Sequence, residues 1–194
     1  MISIVYHDPG DEIGHLMVQD LVASLRSYLK VDARAVPMSL VEEEEKPFRE
    51  GEMVYSLLPF RGGHLATVIE KAEASRALYT GKIPLETIAS SLARQLKGCG
   101  EITLLYWKAK RFVKEQEEDL SFISKSLEET LKAHVTLETN VEKARGCIAV
   151  LTLLPGRVTK KALELHGKDR VKVPFLFDII KEELIKHIRE AIKS

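Results

Sequence analysis

Residues 53–74 read MVYSLLPFRGGHLATVIEKAEA. Met53 to Leu58 is a short apolar run, and Pro59 ends it because proline cannot continue a ladder. Arg61-Gly62-Gly63-His64 is a glycine-rich turn, and Leu65 to Ala74 reads as a helix. A buried strand that runs through a tight turn into a helix is one step of a parallel α/β sheet. The same wording returns later in the chain. Ser56-Leu57-Leu58-Pro59 corresponds to Thr152-Leu153-Leu154-Pro155, and Lys82-Ile83-Pro84 to Lys172-Val173-Pro174. Correspondence at two separate places marks an internal repeat.

Upstream of this stretch, Ile2 to Tyr6 is a β-branched run closed by the turn His7-Asp8-Pro9-Gly10. Ile13, Leu16, Met17, Leu21, Leu25 and Leu29 follow at helical spacing. Val31, Ala33 and Ala35 then alternate with Asp32 and Arg34, as a strand does. A charged stretch containing Glu42, Glu43, Glu44 and Glu45 leads into the Met53 strand. Downstream, Pro84 opens a helix that ends near Gly98. The second pass repeats this order: an apolar run Ile102–Tyr106, helical spacing at Leu120, Ile123, Leu127 and Leu131, and a short alternation at Val135 and Leu137. A strand Ile148–Leu154, a short helix Thr159–Leu165 and a terminal helix with Ile180, Leu184, Ile188 and Ile192 on one face complete it. The expected fold is therefore α/β, with two tandem flavodoxin-like units, each a parallel sheet of about four strands with helices on both faces. The units are residues 1–97 and 98–194, joined by a short glycine-containing linker near Lys97 to Gly100. Units of about 95 residues bury too little surface to ignore one another, so a pseudo-dimer is expected.

Composition removes several classes of function. Hydrophobic residues make up 45% of the 194 and charged residues 30%, enough apolar surface for a core. Lys+Arg and Asp+Glu both number 29, so no global basic field draws nucleic acid. No apolar run is long enough for a bilayer, and MISIVYHDPG lacks the features of a signal peptide. The expectation is a cytoplasmic protein. Cys99 and Cys147 have no metal-ligand spacing and are expected to be free thiols in a reducing compartment.

His7 and His64 stand out by position. In a flavodoxin-like order, strands 1 and 3 flank the point where the chain reverses its direction across the sheet, and ligands bind at their carboxyl ends. His7 follows strand 1 and His64 follows strand 3, so both are expected at one crevice. Gly62 and Gly63 would let a bulky ligand approach the backbone, and the following helix N-terminus favours an anion. His15, His134, His166 and His187 are expected as solvated surface residues. Glu42 to Glu45 have two readings, a solvated charge run or a carboxylate source near the same edge.

These residues carry a resemblance. The chain resembles the sirohydrochlorin cobaltochelatase family of class II tetrapyrrole chelatases, in its tandem-repeat form. In that family the first strand ends in His-Gly-Ser, and the third is followed by Pro, apolar residues and Gly-Gly-His. Ile4-Val5-Tyr6-His7 matches the first element up to its histidine, and Leu57-Leu58-Pro59-Phe60-Arg61-Gly62-Gly63-His64 matches the second. Asp8-Pro9 replaces Gly-Ser, and Val68 stands where an acidic residue is usual. In the second half Trp107 stands opposite His7 and Val158 opposite His64, so that half is expected to be silent, with Trp107 filling the space that substrate occupies in the first.

The resemblance implies a chelatase that inserts cobalt, iron or nickel into sirohydrochlorin or a related tetrapyrrole. His7 and His64 would be its catalytic and metal-holding residues, and Arg61, Gly62 and Gly63 would bind substrate. The divalent metal is a substrate, and no organic cofactor is implied. The alternative is a non-catalytic metal or tetrapyrrole binder of degenerate chelatase type. A third possibility, an unrelated phosphate or nucleotide binder, lacks any Walker or GxGxxG motif. Expected partners are the tetrapyrrole alone, with no nucleic acid or membrane, in a monomer or weak dimer.

Overall fold

A computed structural model describes residues 1–8, 10 and 12–193. Among these, eight strands form two separate four-stranded sheets. The first sheet contains β1 (Ile2–Tyr6), β2 (Ala33–Pro37), β3 (Met53–Ser56) and β4 (Leu78–Lys82), in the order β2-β1-β3-β4. The second contains β5 (Glu101–Leu105), β6 (His134–Glu138), β7 (Cys147–Val150) and β8 (Val171–Val173), in the order β6-β5-β7-β8. Every pairing is parallel. β1 is buried at all five positions, as expected for a central strand covered on both faces. The repeat extends to irregularities of register. Pairing slips between Val54 and Tyr55 against β4, and between Ile148 and Ala149 against β8.

The helices are α1 (Glu12–Leu29), α2 (Met38–Glu43), α3 (Gly63–Ala74), α4 (Leu85–Gln95), α5 (Val113–Leu131), α6 (Arg157–Arg170) and α7 (Phe177–Lys193). α2 has no periodic signal in the sequence: it has six residues in a charged stretch and buries only Met38 and Val41. Two of the four edge strands, β4 and β8, are likewise without a distinct sequence pattern. α6 is longer than the helix expected at Thr159–Leu165, and its backbone breaks at Gly167, where φ is 69°. Two copies of the same core recur. Val5, Val54, Leu58, Leu65 and Val68 cluster in the first unit, and Leu105, Ile148, Val150 and Ala162 in the second. Val68, at the position where the resembled family is acidic, is fully buried in that cluster.

Contacts divide the chain into Met1–Ile83 with Lys181–Ser194, and Pro84–Ile180. This packing division differs from the repeat boundary at 97/98. α4 belongs by contact to the second unit, and most of α7 to the first.

Two features of the fold bear on stability. Glu52, 2% exposed just before β3, accepts four hydrogen bonds from three residues. The Ser3 hydroxyl donates at 2.6 Å, the Arg34 guanidinium at 2.9 and 3.0 Å, and the Arg49 amide at 2.8 Å. Burial alone would raise its pKa, but these donors outweigh burial and hold the carboxyl below its ordinary range. The second feature corrects an expectation: Cys99 and Cys147 are joined in a disulfide, not free. Cys99 lies just before β5 and Cys147 opens β7, the strand beside it, so parallel pairing brings the two sulfurs together. Among the described residues, no helix is long and apolar enough to cross a membrane.

Candidate functional site

β1 and β3 are neighbours, with Val5 opposite Ser56. Their carboxyl ends therefore release the chain at adjacent points. The turn after β1 carries His7, and the turn after β3 leads into α3, whose second residue is His64. The two rings are 5.1 Å apart between centroids and inclined at 78°. Both are exposed, so neither imidazole is spent in the core.

Their hydrogen bonds set which nitrogen is available. His7 Nδ1 lies 3.0 Å from the carbonyl oxygen of Asp8, which can only accept, so Nδ1 carries the proton and donates. His64 Nδ1 donates in the same way to Glu42 Oε1 at 2.9 Å. In both rings the lone pair is then on Nε2. A carboxylate behind an imidazole fixes its tautomer and orientation and makes it a better ligand or base. The side chains of His64 and Glu42 are 48% and 50% exposed, so as an ion pair they contribute only about 0–1 kcal/mol. Orientation is what this contact provides.

Of the four glutamates at 42–45, only Glu42 meets a histidine, and α2 puts it there. The N-cap of α2 is Pro37, which offers no capping side chain. Asp8 caps the helix from across the sheet edge. Its Oδ2 accepts from the Ser39 amide at 2.9 Å and its Oδ1 from the Ser39 hydroxyl at 3.0 Å. That satisfies an N–H left over by the helix and sets a negative charge at its positive end. Glu42 lies one turn beyond Ser39. A continuous path thus runs from the residue after His7, through α2, to Nδ1 of His64.

Asp8, one of the two departures from the resembled motif, therefore has a defined role. The neighbouring Pro9 lies outside the described residues. Asp8 and Ser39 are not recognisable as a pair from the sequence, because 31 positions separate them.

Arg61 is half-buried in the turn between β3 and α3, and Gly63 is the first residue of α3. Gly62 has φ 173° and ψ −175°, extended backbone open to any residue, so its glycine is not required by dihedral angle. Among the described residues, no three His, Cys, Asp or Glu side chains converge to hold an ion.

At the equivalent edge of the second sheet, Trp107 is 71% exposed, which corrects the expectation that it fills the vacant site. Val158 is half-buried against the second core. Three other histidines are also less exposed than expected. His15 is half-buried with Nδ1 2.8 Å from the Tyr6 hydroxyl, and His166 places Nε2 2.7 Å from the carbonyl of Val141. His187 is half-buried too, while His134 is exposed.

Two tandem four-stranded parallel units of this order have the chelatase-like fold. The chain is similar to the solved structure of CbiX, the terminal enzyme for biosynthesis of siroheme in denitrifying bacteria. The TM-score is 0.61 at 17% identity, over 99% of this chain and 97% of that one. At that identity the likeness is one of fold. No family model and no curated protein matches the sequence.

Proposed function

We propose that the chain is a tetrapyrrole chelatase that inserts a divalent metal, cobalt, iron or nickel, into sirohydrochlorin or a related macrocycle. The observation that carries this reading is the pair of imidazoles 5.1 Å apart, each with Nδ1 tied to an oxygen. That arrangement leaves two Nε2 lone pairs at an open sheet edge. Insertion exchanges one divalent cation for two pyrrole protons. Neutral imidazoles hold borderline metals and also accept protons near neutral pH, so they serve both sides of the exchange. Two protein donors hold an ion more loosely than a closed four-ligand site, and the four nitrogens of the macrocycle then outcompete them. Arg61, at the rim, is suited to pair with a peripheral carboxylate, and Gly62 and Gly63 leave room beside it. The fold likeness to CbiX supports the same reaction class.

The test is incubation of the purified protein with sirohydrochlorin and each metal, followed by absorbance against a protein-free control. Wild type is expected to accelerate insertion of at least one metal. His7→Ala and His64→Ala are expected to lose it while melting like wild type, since both side chains are exposed, His7 in a turn and His64 at the start of α3. Full activity in both variants would refute the mechanism. The two-donor site also fits a carrier, and binding of the macrocycle with no insertion of any metal would select that reading.

A further inference from the structure

The second unit carries a built loop at the edge where the first unit carries its histidines. β5 and β7 pair with Leu105 opposite Val150, so the segments after them leave the sheet side by side. The segment after β5 reads Trp107-Lys108-Ala109-Lys110-Arg111-Phe112 and holds three cations and two aromatic rings. Trp107, Lys108, Lys110, Arg111 and Phe112 are all exposed. After β7, Arg157 is exposed as the first residue of α6.

The backbone of this loop is fixed. Gln116, buried in the first turn of α5, donates from Nε2 to the Trp107 carbonyl at 2.9 Å and accepts the Ala109 amide at 2.8 Å. Phe112 holds φ at 57°, a left-handed conformation that bulky residues rarely adopt. The Arg111 guanidinium lies 5.5 Å from the centre of the Phe112 ring, which restrains that side chain. Glu138, at the end of neighbouring β6, turns its carboxylate to the amides of Thr139 and Asn140. A scattered exposed aromatic is ordinary. An aromatic on a braced backbone among clustered cations is a preorganised surface.

We infer that the loop 107–112, with Arg157, is a second binding site, which takes a flat aromatic ring system bearing several carboxylates. Trp107 supplies a stacking face, and the cations meet carboxylates at the ring periphery, Arg with bidentate geometry. The choice of a tetrapyrrole as that ring rests on the proposed function. The surface chemistry does not.

The test uses uroporphyrin, a metal-free porphyrin with carboxylates on every pyrrole, titrated into the full chain. Binding is read from porphyrin absorbance and from emission of Trp107, which is the only tryptophan. Trp107→Ala and the triple variant Lys108→Ala/Lys110→Ala/Arg111→Ala are each expected to weaken binding by about tenfold or more. Trp107→Phe is expected to keep most of the affinity by keeping a ring. His7→Ala/His64→Ala is expected to leave the porphyrin on this loop.

The site is refuted if the loop variants bind as tightly as wild type, or if no porphyrin binds. It is also refuted if an aliphatic polycarboxylate of equal charge competes as well as the porphyrin. Metal insertion is assayed separately. Loss of insertion in wild type with loop-dependent porphyrin binding retained would sink the proposed function and keep this site. Insertion at full rate with binding confined to the histidine pair would do the reverse.

Discussion

His64 owes its orientation to Glu42, 22 positions earlier, and that contact can be dissected. Glu42→Ala removes the acceptor for Nδ1–H and frees both tautomer and ring, so insertion is expected to slow by about 10–100-fold in a steady-state assay. Glu42→Gln keeps an oxygen acceptor and is expected to fall between this variant and wild type. Glu52, at the opposite end of the strands, tests stability. Its carboxyl titrates lower in the folded state than in the unfolded chain, so its contribution is complete above the ordinary carboxylate range and is lost as pH falls toward the folded value. Urea denaturation of wild type is expected to show that acid-side decline. Glu52→Gln is expected to lose about 2–3 kcal/mol at neutral pH and to show a shallower decline. At this scale the convergence of His7 and His64 was legible in the sequence, because His7 directly follows a recognisable strand and His64 opens the helix after the neighbouring one. Glu42 was not separable from Glu43, Glu44 and Glu45, since which one meets a histidine depends on the rotation of a helix that has no distinct pattern.

Elements divide in the same way. Long elements with a full period, such as α1, α5 and β1, were readable. α2 was not, because two buried residues in six make no periodic signal, and β8 has only three residues at a sheet edge. Yet α2 is the element on which the histidine pair depends most, and Asp8 is its cap. Asp8→Ala is expected to cost about 1 kcal/mol of global stability, measured by denaturant titration. It should also lower insertion activity by loosening the perch of Glu42. Asp8→Asn retains an oxygen for Ser39 and is expected to recover most of both. If Asp8→Ala lost stability and kept full activity, α2 would be scaffold alone.

Across the whole molecule, the repeat announced the two sheets and their order, whereas the covalent link between strands was invisible. Cys99 and Cys147 stand 48 positions apart, and only the parallel pairing of β5 with β7 brings them together. The bond also removes the free thiols on which the expectation of a reducing compartment rested. Closing a loop of that length is worth up to about 4 kcal/mol on a chain-entropy account. Melting with and without reductant is expected to show a lower midpoint when the bond is open. Cys99→Ser/Cys147→Ser should match the reduced form and no longer respond to reductant.

Lys181–Ser194 groups by contact with Met1–Ile83, so the second unit, Pro84–Ile180, lies in sequence between two parts of the first. Splitting the natural chain at the repeat boundary therefore isolates neither body. A circular permutant does: joining Ser194 to Met1 through a flexible linker and opening the chain between Ile83 and Pro84 makes both bodies contiguous, the second unit followed by the first. The two orders thread the same pair of bodies, and domain-wise excision should become possible only in the permuted one.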